Sequence, residues 1–187
     1  SRSVLPFEDR KKDQVIKALA PALSEAGEKA LTEYHALNPV GFAPVADSYA
    51  IVHAPWTHSE TTRIVSKFKD EHPITDAIIT NTAQQAVKEK GALDHEQLIE
   101  TRVIRVELNG YRTASPVGKR AHEIAVAVLM SDCESKIKSL AEETMARIFT
   151  AKPRVRSSTC ALLMVLPEIA PRPKDYLIVD MTSEATA

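Results

Sequence analysis

The sequence is poor in the residues that build phosphate-binding loops and metal sites. Among its 187 residues are five glycines and two cysteines. The glycines are scattered singly, so the chain has neither a P-loop nor a dinucleotide-binding loop. The cysteines, Cys133 and Cys160, lack any CxxC or Cys/His spacing, which argues against a structural zinc site. We therefore predict no cofactor and no metal ion.

Long apolar runs and a strong net charge are also missing. The longest strongly apolar run, 160–166, is far shorter than the ~20 residues that cross a bilayer. The formal net charge is −1, which argues against bulk attraction to nucleic acid or to an anionic membrane. Few cysteines and the lack of a visible signal segment predict a cytoplasmic (intracellular) protein, although two cysteines are enough to form one disulfide.

The overall composition is typical of a globular protein, because 44% of the residues are apolar and 26% are charged. Helical patterns come first and strand patterns gather after residue 100. We predict an α+β fold with a helix-rich N-terminal part, followed by a small antiparallel or mixed sheet with a long helix packed on it. Residues 1–187 are expected to form a single domain, with 1–100 as a helical layer and 101–187 as a sheet-plus-helix part as a further option.

The segment 117–150 has two competing interpretations. Its apolar residues recur at intervals of three and four, which predicts one long helix. Within it, however, Ile124, Val126 and Val128 alternate as in a strand, and residues 131–134 have the S-x-x-E form of a capping box. This second pattern predicts a strand followed by a helix. Residues 132–149 are helical in both interpretations.

Other segments carry clearer signals. Two helices are expected within 8–37, meeting near Pro21. A capping box at Thr57–Glu60 predicts a helix that ends by Asp70, and a further helix is expected over 74–90. The dipeptide at 109–110, Asn-Gly, predicts a type I′ hairpin. The apolar runs 160–166 and 176–179 are expected to be strands.

The densest set of potentially catalytic residues lies within 53–60. His53 or His58 could act as a general base, with Glu60 orienting it and Trp56 forming an apolar wall. The alternative is that Glu60 caps the helix at Thr57, Trp56 joins the core and both histidines are exposed.

Basic residues are concentrated in two segments. Positions 102–120 hold five basic residues and one glutamate, and positions 147–156 hold four basic residues and no acid. If the segments meet in space, Arg102, Arg105, Arg154 and Arg156 could bind an anionic ligand or nucleic acid. Pairing with an acidic face on a partner or on a second copy fits the same pattern.

Three functions remain open from the sequence, and the first is preferred. It is a non-catalytic protein-binding or assembly domain, self-associating or docked on a protein partner, because no catalytic motif is present. The second is a small cofactor-independent enzyme, a hydrolase or isomerase, with its site around His53, His58 and Glu60. The third is a nucleic-acid-binding domain that uses the basic segments 102–120 and 147–156.

Overall fold

The computed structural model describes residues 12–38, 45–88 and 93–169, which confirm the α+β fold class. The predicted strand at 176–179 lies outside these residues. The elements, in chain order, are α1 (Lys12–Leu37), β1 (Tyr49–Val52), β2 (Thr57–Pro73), α2 (Asp76–Lys88), a 3-10 helix (His95–Gln97), β3 (Leu98–Leu108), β4 (Tyr111–Arg112), β5 (Arg120–Cys133), α3 (Ser135–Ala146), β6 (Arg154–Ser157) and α4 (Ser158–Ile169).

The described residues belong to two compact units. We call the one that falls within 12–52 and 134–156 the helical unit, and the one that falls within 53–133 and 157–169 the sheet unit. Each has its own packing, described below. The prediction that the whole chain folds as a single domain stays a prediction.

The sheet unit is built on a four-stranded antiparallel sheet with the order β2-β5-β3-β4. On one face, which we call the helix-covered face, apolar side chains from the three longer strands pack with α2 into a core. Ile124, Val126 and Val128 at its centre are fully buried. Period-two alternation therefore gives β5 one row of branched side chains that all point toward the same helix.

Residues 117–150 follow the strand-then-helix interpretation. The strand β5 runs to Cys133 and α3 begins at Ser135. The capping-box prediction at 131–134 is wrong, because Ser131 and Asp132 remain in the ladder opposite β2 and β3. A strand that pairs on both sides satisfies its backbone groups while burying ten consecutive residues, 124–133. The helix therefore starts three residues later than predicted.

The predicted helix after Thr57 is also wrong, because this segment is the strand β2. It pairs continuously with β5 from Thr57 to Lys67, and the register shifts between Lys67 and His72. Ile64 is buried whereas the flanking Arg63 and Val65 are exposed. This alternation, together with the β-branched residues, was the correct signal. The S/T-x-x-E pattern at 57–60 was misleading, since it also fits the start of a strand.

The Asn-Gly hairpin between β3 and β4 is confirmed. Asn109 and Gly110 have φ values of 50° and 82°, as a type I′ turn requires. The Asn109 Oδ1 atom also accepts hydrogen bonds from the backbone N–H groups of His122 and Glu123, at 2.9 and 3.0 Å. The turn residue is thus tied to the neighbouring strand β5 as well as closing its own hairpin.

In the helical unit, α1 packs against α3. The prediction of two helices is wrong, since Pro21 lies inside one continuous α1. Gly27 permits close packing, because a Cβ atom there would lie 2.8 Å from Ile148 Cδ1 and 3.5 Å from Met145 Sδ. A proline removes only one backbone donor, and packing along the second half of the helix can offset that loss. Strands β1 and β6 form a separate two-stranded parallel sheet.

The apolar run 160–166 is helical, so the prediction of a strand there is wrong. It belongs to α4, in which the N–H of Cys160 donates to Ser157 Oγ at 3.1 Å. This is an N-cap interaction. The residues that follow, Ala161, Leu162, Leu163 and Met164, are strong helix formers. Apolar character alone could not distinguish a buried strand from a helix, whereas the Ser cap and the propensities could have done so.

Candidate functional site

The best-defined polar pair of the sheet unit joins β2 to β5. His58, next to the start of β2, lies opposite Asp132 near the end of β5. Its Nδ1 atom is 3.3 Å from Asp132 Oδ1. The carboxylate is further held by two backbone N–H groups, that of His58 at 3.2 Å to Oδ1 and that of Asp94 at 2.9 Å to Oδ2. The His58 side chain is 74% exposed, whereas that of Asp132 is only 10% exposed.

This arrangement matches the orienting half of an acid–base site. A carboxylate that accepts from Nδ1–H selects the tautomer in which Nε2 can take up a proton. The two backbone donors hold the Asp132 carboxylate in place, so the imidazole is oriented by a fixed partner. General-base chemistry also needs a substrate positioned within hydrogen-bond reach of the histidine. The His58 side chain is accessible to a substrate because it is highly exposed. For the same reason, few neighbouring side chains could hold a substrate against it.

The other residues of the predicted catalytic set lie nearby in the chain. Glu60 is two residues after His58 on β2 and therefore projects from the same face of the strand. His53 is exposed and lies before β2, in the turn where Trp56 N–H donates to the His53 carbonyl at 3.2 Å. Trp56 is half-buried. The structure thus places Asp132, rather than Glu60, beside the imidazole of His58.

Asp132 was missed by sequence reasoning because 74 positions separate it from His58. Local spacing can suggest only partners within the same element, and Glu60 was the nearest carboxylate in the chain. Had β2 and β5 been recognised as paired strands, their register would have brought the two together. Across the described residues, no group of three or more His, Cys, Asp or Glu side chains is arranged to hold a metal ion.

On the opposite face of the same strand ends, three serines form a hydrogen-bonded chain. Ser59 Oγ lies 2.9 Å from Ser131 Oγ, which in turn lies 3.0 Å from Ser157 Oγ. The Ser157 hydroxyl donates to Glu100 Oε1, and the Ser157 N–H donates to the same oxygen at 3.1 Å. Because Ser157 also caps α4, the chain links three strands to the start of that helix.

Arg105 and Arg112 of the first basic segment lie near Glu107 on the face of the sheet opposite α2, which we call the charged face. Arg105 lies across the small residue Ala127 from Arg63. Glu107 accepts from Arg63 Nη2 at 2.8 Å and lies 3.1 Å from Arg105 Nε. The hydrogen bond from Arg63 is the largest cause and lowers the pKa of Glu107. Desolvation opposes this shift, and the positive charges of Arg63, Arg105 and Arg112 lower the pKa further.

Arg102 lies on the same charged face, opposite Leu129. Arg105 and Arg112 also line a shallow cleft of about 340 Å3, together with the apolar side chains of Val103 and Ile104. The two predicted ligand-binding residues of the second basic segment, Arg154 and Arg156, belong to β6 in the helical unit. Arg154 Nη2 lies 3.3 Å from Asp47 Oδ1.

The outer edge of β2 is a long backbone surface of the sheet unit, because the strand spans 17 residues. β2 is an outermost strand, and within the described ranges no strand pairs with its outer side. Over Thr61–Lys67, such an edge can offer backbone N–H and C=O groups to an added strand. Val65 on this strand is 39% exposed, whereas the exposed apolar residues Val103 and Tyr111 lie on β3 and β4, on the other side of β5.

Both cysteines are buried thiols. Over residues 12–38, 45–88 and 93–169, no helix combines the length and the apolar character needed to cross a membrane. No family model matches the sequence, and no curated protein matches it either.

Proposed function

We propose that this chain is a non-catalytic assembly domain that associates with further copies of itself. The observation that carries this proposal is the outer edge of β2 over Thr61–Lys67, with which no described strand pairs, although the inner side of the strand is regularly paired with β5. An open edge is a template for β-strand addition, in which main-chain hydrogen bonds supply affinity. Val65, which is exposed on the charged face of β2, adds apolar surface that association would remove from water.

The charged residues fit an assembly role better than a nucleic-acid-binding role. On the charged face, Arg63 and Arg105 are already engaged by Glu107. In the helical unit, Arg154 lies beside Asp47. A phosphate would have to compete with these carboxylates for the same guanidinium groups. Measuring the affinity for an oligonucleotide at two salt concentrations tests the alternative, because phosphate binding requires a steep fall in affinity as salt rises.

The test of the proposed function is sedimentation analysis of the whole chain over a protein concentration range of about 1 μM to 1 mM. We expect the mean mass to rise from monomer toward dimer or higher species as the concentration increases. A mass that stays at 20.6 kDa over the whole range would contradict the proposal.

The second candidate function is acid–base catalysis at His58, and the contact of His58 with Asp132 is the observation that favours it. An activated-ester substrate would test it across a pH series. If His58 acts as a base, the rate of hydrolysis should be lost in His58→Gln and reduced in Asp132→Asn, which keeps the imidazole but replaces the carboxylate beside it. Equal rates in the two variants and in the original protein would remove this candidate.

A further inference from the structure

The last seven residues of β2 before its register shifts are Thr61–Lys67, and no described strand pairs with their outer side. They belong to the longer stretch Thr57–Lys67, which pairs continuously with β5. Its side chains alternate between the two faces of the sheet, with Ile64 buried on the helix-covered face and Val65 exposed on the charged face. Any strand added at this edge must match that alternation, because directly opposed residues in an antiparallel pair point to the same face.

Two copies of β2 can pair antiparallel only about a twofold axis perpendicular to the sheet. This axis runs midway between one residue and the same residue of the second copy, and below it is said to pass through that residue. When the axis passes through Ile64, Thr61 lies opposite Lys67, Thr62 opposite Ser66, and Arg63 opposite Val65 of the second copy. This alignment uses all seven residues of Thr61–Lys67 and places no like charges in opposition. It also sets the two Ile64 side chains beside each other on the helix-covered face.

The charged residues of the edge disfavour the neighbouring alignments. An axis through Arg63 or Lys67 places that residue opposite itself, and an axis through Val65 places Arg63 opposite Lys67. An axis through Ser66 opposes Arg63 to Lys69, again with like charges, which are destabilising when directly opposite. An axis through Thr62 avoids like charges but sets the Glu60 carboxylate opposite the buried Ile64.

We infer that the outer edge of β2 is a homodimer interface in which two copies of Thr61–Lys67 pair antiparallel about Ile64. This inference rests on the proposed self-association and adds its surface and register. The pairing would join two four-stranded sheets into one, with α2 of both copies on the same side. A contact limited to seven residues per copy is smaller than the ~1,200–2,000 Å2 of a standard stable interface. A reversible dimer of micromolar affinity is therefore expected.

Disulfide cross-linking between two single variants tests the register. Thr61→Cys and Lys67→Cys are both exposed positions, and they become direct neighbours only when the axis passes through Ile64. An oxidised equimolar mixture of these variants should give a covalent dimer in high yield, with little from either variant alone. The matched control is Thr61→Cys mixed with Lys69→Cys, which pairs only about Val65. The native cysteines are 0% and 3% exposed and should react slowly.

A second variant measures the contribution of charge. Val65→Lys sets a lysine opposite Arg63 of the other copy at two symmetric places, and we expect association to weaken by about tenfold while the monomer stays folded by circular dichroism. Protein that associates in sedimentation but yields no dimer from the Thr61→Cys and Lys67→Cys mixture would overturn the interface and leave self-association standing. Protein that stays monomeric at every concentration would overturn both.

Discussion

Strands β5 and β2 are hydrogen-bonded neighbours, yet their environments differ sharply. In β5 the ten residues 124–133 are all buried, whereas the seventeen-residue β2 buries only Thr57 and Ile64. The central strand has a strand on each side and α2 on the helix-covered face. On the charged face, its buried side chains include small ones such as those of Ala125 and Ala127. Among the described strands, the edge strand pairs with β5 alone, and it keeps its charged side chains at the surface. Position within the sheet therefore decides how much stability each side chain contributes.

The largest expected difference comes from the same truncation in the two strands. Val126→Ala removes two methyl groups from a fully buried position in β5 and should cost about 2–3 kcal/mol of unfolding free energy, since a cavity remains. Val65→Ala at the exposed position in β2 should cost less than ~0.5 kcal/mol. Urea denaturation at low protein concentration measures both. Similar losses would show that β2 is as enclosed as β5.

The next largest effect is expected where both strands meet the start of α4. Ser157→Ala removes the hydroxyl that serves Glu100, Ser131 and the N–H of Cys160. A loss of about 2 kcal/mol is expected, because a buried carboxylate loses a donor and a helix loses its cap. Ser59→Ala, at the exposed end of the same hydrogen-bonded chain, should lose under ~0.5 kcal/mol. Comparable losses from both variants would contradict this gradient.

A smaller effect is expected at the hairpin that is tied to β5. Asn109→Ala should cost about 1–2 kcal/mol, because alanine tolerates a positive φ poorly and the acceptor for two β5 N–H groups is lost. Asn109→Gly keeps the conformational freedom and loses only the acceptor, so its loss should be intermediate. Thermal unfolding of the two variants separates these causes. If glycine is as harmful as alanine, the turn conformation contributes nothing.

The smallest expected effect lies on the charged face, where Glu107 on β3 reaches Arg63 on β2 across the alanines of β5. Its pKa is lowered in the folded protein, chiefly by the hydrogen bond from Arg63. A lowered folded pKa contributes stability that is fully present above the unfolded pKa and is lost as the pH falls through the folded pKa. Glu107→Gln should therefore lower Tm slightly at pH 7.

The same variant supplies its own control at acidic pH. Below the folded pKa, Glu107 is protonated and resembles glutamine, so the difference in Tm between the two proteins should disappear. A difference that persists unchanged in acid would show that packing, rather than charge, accounts for the effect of the substitution. Salt should reduce the difference at pH 7, since the groups involved are partly exposed.

Predictions from the sequence were confirmed where the local pattern is typical of one kind of element and of no other. The Asn-Gly turn appeared where expected because few residue pairs other than Asn-Gly tolerate two positive φ values, and α2 falls within the predicted range 74–90. The helix starts predicted from capping-box patterns at 57–60 and at 131–134 are wrong, because these residues lie mainly in strands. His58 was identified as a candidate site residue, but its partner Asp132 was not, because only the pairing of β2 with β5 brings them together.

Residue spacing by itself determined the α+β class, the β3–β4 hairpin and the helical character of 135–146, since each follows from interactions within a few positions along the chain. The tertiary structure decided that β5 is the central strand, that β2 is outermost among the described strands, and that Glu107 lies near arginines of three strands. Those outcomes depend on long-range pairing, in which backbone groups find partners and apolar side chains leave water together. The paired residues have no fixed separation in sequence, so a local pattern can indicate a strand but cannot indicate which strands lie beside it.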